Sequence, residues 1–158
     1  MSIRSATVND APAIARLLAQ LGYPDTEAFL GANLQELLAD PMELLLVWAE
    51  DNPTPLHSSA AGLRSGNPAS TIAGFLSADL SIYPELKGRV ATIKAFAVDE
   101  TVRSKGIGRK LEAELTRLAT EKGCDRIIVH CAERRIQAHQ FYYRQGYTED
   151  PKYLIKKI

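Results

Sequence analysis

The sequence predicts a mixed α+β fold of the α/β class, in which a largely antiparallel central sheet carries about four helices on its faces. Three observations lead there. Strand-like runs at residues 43–50, 71–81 and 88–98 follow one another with no helical pattern between them, as antiparallel neighbours do. A single amphipathic helix pattern then separates residues 88–98 from the β-branched run 126–131, which calls for one crossover connection. Two further helical patterns precede all of these strands, so a doubly wound parallel sheet is excluded.

Each element can be justified in turn. Residues 2–8 (SIRSATV) read as a short strand centred on Ile3. Asp10 is a candidate N-cap for a helix that carries Ile14, Leu17, Leu18 and Leu21 on one face and ends at Gly22. Pro24 and Asp25 open a second helix, 26–38, with Phe29, Leu30, Leu34, Leu37 and Leu38 in register, and Asp40-Pro41 breaks it. Residues 43–50 (ELLLVWAE) are too short and too continuously apolar for a surface helix, and read as a buried strand with Trp48 in the core. Residues 51–70 hold three prolines, two glycines and five serines or threonines without a period, and read as a flexible loop. Beyond the strands at 71–81 and 88–98, a helix at 111–121 stops at Gly123. The strand 126–131, a helix at 135–145 ended by Gly146, and strands around Tyr147 and 153–158 complete the order β-αα-βββ-α-β-α-ββ.

Composition restricts the function. A chain of 158 residues suits one domain, 1–158, with 46% hydrophobic and 24% charged residues, both ordinary for a globular protein. Nineteen basic against nineteen acidic residues leave no net charge, which argues against a dedicated nucleic-acid binder. Cys124 and Cys131 fit neither a zinc site nor a redox pair, and read as two buried or half-buried thiols in a reducing compartment. No apolar run approaches the roughly 20 residues needed to span a bilayer, so the expected location is the cytoplasm, with no membrane partner.

The chemistry is carried by residues 103–110 (RSKGIGRK). A strand that passes through a glycine-containing turn into a helix presents unpaired N–H groups and the positive end of the helix dipole, which together bind phosphate. Arg103, Lys105 and Arg109 add charge, and Gly106 and Gly108 allow close backbone approach. Leu111 stands where a Rossmann fingerprint needs its third glycine, and no Gly-Lys-Ser/Thr follows, so dinucleotide and P-loop readings fail. What fits is R-x-x-G-x-G after a strand, followed about thirty residues later by Ala138-His139-Gln140-Phe141-Tyr142-Tyr143-Arg144-Gln145-Gly146-Tyr147.

This pair of motifs resembles the GNAT superfamily of acetyl-CoA-dependent N-acetyltransferases, and the order of elements is similar over nearly the whole chain. The resemblance implies a sheet that splays between the fourth and fifth strands. It implies that the N–H groups of Lys105, Gly106, Ile107, Gly108 and Arg109, with Ser104 in the same turn, cradle the coenzyme A pyrophosphate, and that Arg103 adds a charged contact. Phe96, Ala97 and Val98 would pair with the pantetheine arm, and the Phe96 N–H would polarise the thioester carbonyl. Ala138 and Tyr142 would contact the cofactor from the last helix, with Tyr142 protonating the departing thiolate. The implied reaction moves acetyl from acetyl-CoA to a primary amine of a small molecule by direct attack in a ternary complex, and homodimers are common among such families. An acyl-CoA-binding sensor without catalysis, or a peptide N-acetyltransferase, is the alternative.

The chain also departs from the family. Lys94-Ala95 occupies the fourth strand where many members carry a carboxylate, and Arg135 stands where the last helix often has Asn. An amine with a pKa of about 10.4 is only about 0.1% neutral near pH 7.4, a deficit of roughly 4 kcal/mol, so a base matters. Asp79 is the first candidate, with Glu36 and His130 behind it. The sequence around Lys94 is poor in acids, which favours a neutral or anionic acceptor over a polycation.

Overall fold

The computed structural model describes residues 2–50, 71–150 and 156. Five strands form one sheet in chain order: β1 (Ser2–Ser5), β2 (Glu43–Glu50), β3 (Thr71–Ile82), β4 (Arg89–Val98) and β5 (Cys124–Val129). The first four are antiparallel, and β5 lies parallel to β4. Helices α1 (Ala11–Leu21) and α2 (Glu27–Ala39) connect β1 to β2; α3 (Ile107–Glu121) makes the crossover from β4 to β5; α4 (Ile136–Arg144) follows β5. The mixed α+β sheet anticipated from the sequence is therefore present.

Several boundaries differ for local reasons. Strand β1 ends at Ser5 because Asp10 gathers the next residues into a 3-10 turn. Its carboxylate accepts the Thr7 N–H at 2.8 Å and two Arg4 bonds, each at 2.8 Å. Asp10 does stand at the N-cap position of α1, but its side chain serves Thr7 and Arg4 and caps nothing in the helix. Gly22 closes α1 as expected, at φ 102°, a conformation that a β-carbon disfavours. In α2 only Leu30 and Leu34 are buried, while Phe29 and Leu38 are exposed, since five large apolar residues span more of the helix circumference than one sheet can cover. The crossover helix begins four residues earlier than its apolar pattern, and β5 sits two residues earlier than its β-branched run. Residues 147–150 form no strand; the expected loop at 51–70 and the strand at 153–158, apart from Lys156, lie outside the described residues.

Side chains pack on both faces of the sheet. On one face Ile14, Leu17, Leu30 and Leu34 meet Val47, Phe75 and Ala97. On the other, Ile107, Leu111 and Leu115 meet Leu46, Trp48, Leu76 and Ile93. Trp48 is buried as expected, with the Lys110 ammonium 4.9 Å above its ring. Gly74 sets the spacing of the second layer, for a β-carbon there would stand 2.8 Å from Leu111 Cδ1 and 3.1 Å from Ile107 Cγ2. The missing side chain lets α3 rest close against β3, which fixes the position of the helix start.

Two irregularities in β4 prepare the site. Ala78 pairs with Ile93 and Ser77 with Ala95, so Lys94 is the extra residue of a β-bulge. Pairing between β4 and β5 ends at Ile93 and Val129, although β4 continues to Val98. The last five residues of β4 therefore have an edge that β5 leaves open. This is the splay that the resemblance implied.

Candidate active site

The turn after β4 is held by Asp99. Its buried carboxylate accepts the Thr101 N–H at 3.0 Å and the Thr101 hydroxyl at 2.6 Å, and Arg16 of α1 pairs with its other oxygen. These bonds, the Thr101 hydroxyl foremost, hold the carboxyl well below the usual range against the opposing effect of burial. A depressed carboxylate stabilises the fold above its unfolded pKa of about 4 and ceases to do so as pH falls through the folded value. The melting temperature of Asp99→Asn should therefore lie below wild type by a constant margin from pH 7 to about 5. That margin should narrow below about pH 4; a margin independent of pH down to 3 would contradict the assignment.

Past Asp99, Arg103 Nε donates to Val98 O at 3.1 Å, and Ser104 and Gly106 both adopt left-handed backbone, at φ 64° and 81°. Gly106 is the N-cap of α3, and the first helical bond there runs from Lys110 N–H to Gly106 O at 3.1 Å. The N–H groups of Ile107, Gly108 and Arg109 precede that bond and have no carbonyl earlier in the helix to pair with. The Asp99 N–H bonds Ala73 O at 2.9 Å, toward β3. Alternation along an extended strand then turns the N–H groups of Phe96 and Val98 the other way, to the edge β5 has left.

These groups share one groove of about 1320 Å³. Of the residues expected to hold the cofactor, Phe96, Ala97, Val98, Arg103, Ser104, Gly106, Ile107, Gly108, Arg109, Ala138 and Tyr142 line it. Lys105 does not; it is exposed on the same turn. Sequence reasoning missed Arg134 and Arg144, and saw in Arg135 only a departure from a family pattern. All three line the groove, so among the described residues five arginines and no aspartate or glutamate belong to its lining. A wall of this charge favours a ligand with several phosphates.

Tyr142 lines the groove from α4. It is 9% exposed and meets the rings of Phe141, Tyr147 and Phe96 at centroid distances of 5.3, 5.2 and 6.5 Å. Burial pushes its phenol well above the ordinary value, so it stays protonated through neutral pH. The neighbouring Phe141 rests on Gly108, where a β-carbon would come within 3.3 Å of its ring.

On the opposite face of the sheet the register assembles a cluster the sequence hid. Glu43 of β2 lies opposite Asp79 of β3, and the bulge directs Lys94 of β4 to the same place. Lys94 Nζ pairs with Glu43 Oε1 and stands 4.0 Å from Asp79 Oδ1, while the Ser81 hydroxyl donates to Asp79 Oδ2. Glu43 also lines, with Asn33, Glu36, Leu37 and Asp40, a pocket of about 330 Å³ between α2 and the sheet. The expectation of acid-poor surroundings for Lys94 is thus corrected: its acidic neighbours are remote in sequence and adjacent in space. His130, just past β5, is exposed, and Glu36 is exposed on α2. Cys124 and Cys131 are free, half-buried thiols whose pKa values burial raises. Among the described residues no group of metal-ligating side chains occurs, and no helix is long and apolar enough to cross a membrane.

The acetyltransferase (GNAT) family model matches residues 17–147. Solved structures share the fold at low identity. A GNAT family acetyltransferase from Staphylococcus aureus superposes with a TM-score of 0.74 at 21% identity, all of both chains being covered. Glucosamine-6-phosphate N-acetyltransferase from Arabidopsis thaliana gives 0.76 at 19%, over 99% of this chain and 97% of that one. An aminoglycoside 6'-N-acetyltransferase from Acinetobacter haemolyticus gives 0.75 at 20%, over 100% and 99%. No curated protein matches the sequence.

Proposed function

This chain belongs to the GNAT acetyltransferase family, and from that premise we propose that residues 1–158 act as one domain that transfers an acetyl group from acetyl-CoA to the primary amine of a small molecule. The observation that carries the reading is the convergence of an open strand edge, a helix N-terminus, five arginines and a buried tyrosine on one groove. Acetyl-CoA fits that groove by chemistry: an amide-bearing arm suits a strand edge, and its phosphates suit arginines and free N–H groups.

When bound, acetyl-CoA supplies an activated acyl carbon and a thiolate leaving group. The residues of the chain do the rest. The Phe96 N–H donates to the carbonyl oxygen as negative charge develops there. Tyr142 would give its proton to the sulfur as the carbon–sulfur bond breaks, and the second proton, which the nitrogen sheds as the amide forms, would restore the phenol. Asp79, with Glu43 beside it, takes the proton that the acceptor ammonium must lose before its nitrogen can attack. No acyl-enzyme is required, since the amine attacks the thioester directly and a single displacement completes the transfer. The small amines named for two of the structural neighbours agree with this choice of acceptor.

Thiol release from acetyl-CoA, followed with a panel of small amines and peptides, tests the proposal. Acceleration by at least one small amine, giving its N-acetyl product, is the expected result. Binding of acetyl-CoA with no acceleration by any amine would mean a sensor module, and acceleration by peptides alone would move the acceptor to protein. Asp79→Asn should lower kcat/KM about tenfold to a hundredfold at pH 7. That deficit should shrink as pH rises towards the amine's own pKa, because the neutral acceptor then no longer needs a base. A deficit that does not vary with pH would remove Asp79 from the role.

A further inference from the structure

Glu112 is a carboxylate on the buried face of α3, between Leu111 and Leu115, and it is only 7% exposed. Placing a carboxylate in a core is unfavourable unless it is well bonded, and an apolar residue could fill the same space. Its Oε1 accepts the Thr116 hydroxyl at 3.0 Å and the Tyr147 hydroxyl at 3.1 Å. The second bond crosses from α3 to the segment after α4. There Gly146, at φ 90°, reverses the chain, and the Tyr147 N–H returns to Tyr142 O at 3.1 Å. The reversal lays the Tyr147 ring 5.2 Å from that of Tyr142 at 57°.

A second neighbour of Tyr142 is also referred to α3. Phe141 stands edge-on to Tyr142 at 5.3 Å and 72°, and rests on Gly108. Gly108 and Glu112 are four residues apart, one turn, and so occupy the same helix face. Of the rings that meet Tyr142, α3 therefore locates two, one seated on the backbone at Gly108 and one tied to the carboxylate of Glu112.

We propose that Glu112, through its hydrogen bond to Tyr147, is a positioning residue that aims the Tyr142 hydroxyl, so that one helix sets both the phosphate-binding turn and the acid. The inference rests on the acid role given to Tyr142 above. Replacing Glu112 by Leu would keep the packing and remove the acceptor, so Tyr147 would lose its anchor and Tyr142 one of the two supports that α3 gives it. Tyr147→Phe removes a single oxygen and breaks the same link, while the Thr116 hydroxyl still donates to Glu112. Glu112→Gln keeps an oxygen acceptor for the Tyr147 hydroxyl.

The test is a double-mutant cycle, measuring kcat and the KM for acetyl-CoA with the best amine acceptor. Tyr147→Phe and Glu112→Leu should each lower kcat about tenfold and leave KM within about twofold, and Glu112→Gln should recover most of kcat. In a Tyr142→Phe background neither Tyr147→Phe nor Glu112→Leu should lower kcat further, since no hydroxyl is left to aim. Equal losses in both backgrounds, or an unchanged kcat for Tyr147→Phe, would overturn the positioning role while leaving the acid intact. If Tyr142→Phe itself leaves kcat unchanged, the acid assignment fails first and takes this proposal with it.

Discussion

Tyr142→Phe is expected to lower kcat by about 10² to 10³, the usual contribution of a well-placed general acid, while the affinity for acetyl-CoA stays within about twofold of wild type. The ring remains, so the contacts with Phe141, Tyr147 and Phe96 survive and the groove keeps its shape. Only the proton is lost. Its absence matters because the sulfur must leave as a thiolate into a site walled by aromatic rings, where an unprotonated anion is poorly solvated. The buried phenol has a raised pKa, which keeps it protonated but makes it a weaker acid, so the transfer depends on a short, well-aimed bond. A leaving thiol of lower pKa should therefore reduce the deficit of the variant. Steady-state kinetics with acetyl-CoA and such a thioester would decide it: equal losses with both leaving groups would mean that Tyr142 packs and does not donate.

Gly106→Asp is expected to weaken acetyl-CoA binding by about two orders of magnitude. A carboxylate about 5 Å from a phosphate charge, at an effective dielectric near 20, is repelled by roughly 3 kcal/mol. The backbone there has φ 81°, so any side chain adds strain of about 1–2 kcal/mol, which falls chiefly on folding. Gly106→Asn separates the two effects. It has nearly the same shape and tolerates left-handed backbone, but carries no charge. Calorimetric titration with acetyl-CoA should show the Asn variant within about tenfold of wild type and the Asp variant far below it. Matching affinities for the two variants would place the phosphates away from the start of α3.

Much of this site could be read before folding. The turn from residue 103 to 109 declares itself locally, because glycine, cation and strand-to-helix context all lie within a few residues. The motif around Tyr142 is equally local. What the reading misjudged were distances through space. Arg135 looked like a missing contact, and with Arg134 and Arg144 it became part of a cationic wall once α4 was set against the open edge of β4. Lys94 looked isolated from acids, although Glu43 is 51 residues away and bonded to it. The sequence pattern starts α3 only at Leu111 because residues 107–110 carry too little apolar period to reveal a helix; their helical state follows from packing Ile107 and Leu111 onto Gly74.

By itself the sequence determined the order of the first five strands and the four helices, the glycine-bearing turn before α3, the tyrosine of the last helix and the family to which they belong. Those features depend on residue spacing along one segment at a time, through backbone geometry, helix dipoles and hydrophobic period. Only the tertiary structure decided that Glu43, Asp79 and Lys94 form one cluster, that five of the described arginines line one groove, and that Glu112 reaches Tyr147 across 35 residues. Each of those depends on strand register or helix seating, which the whole core sets through shape and burial, and no local run of residues encodes it.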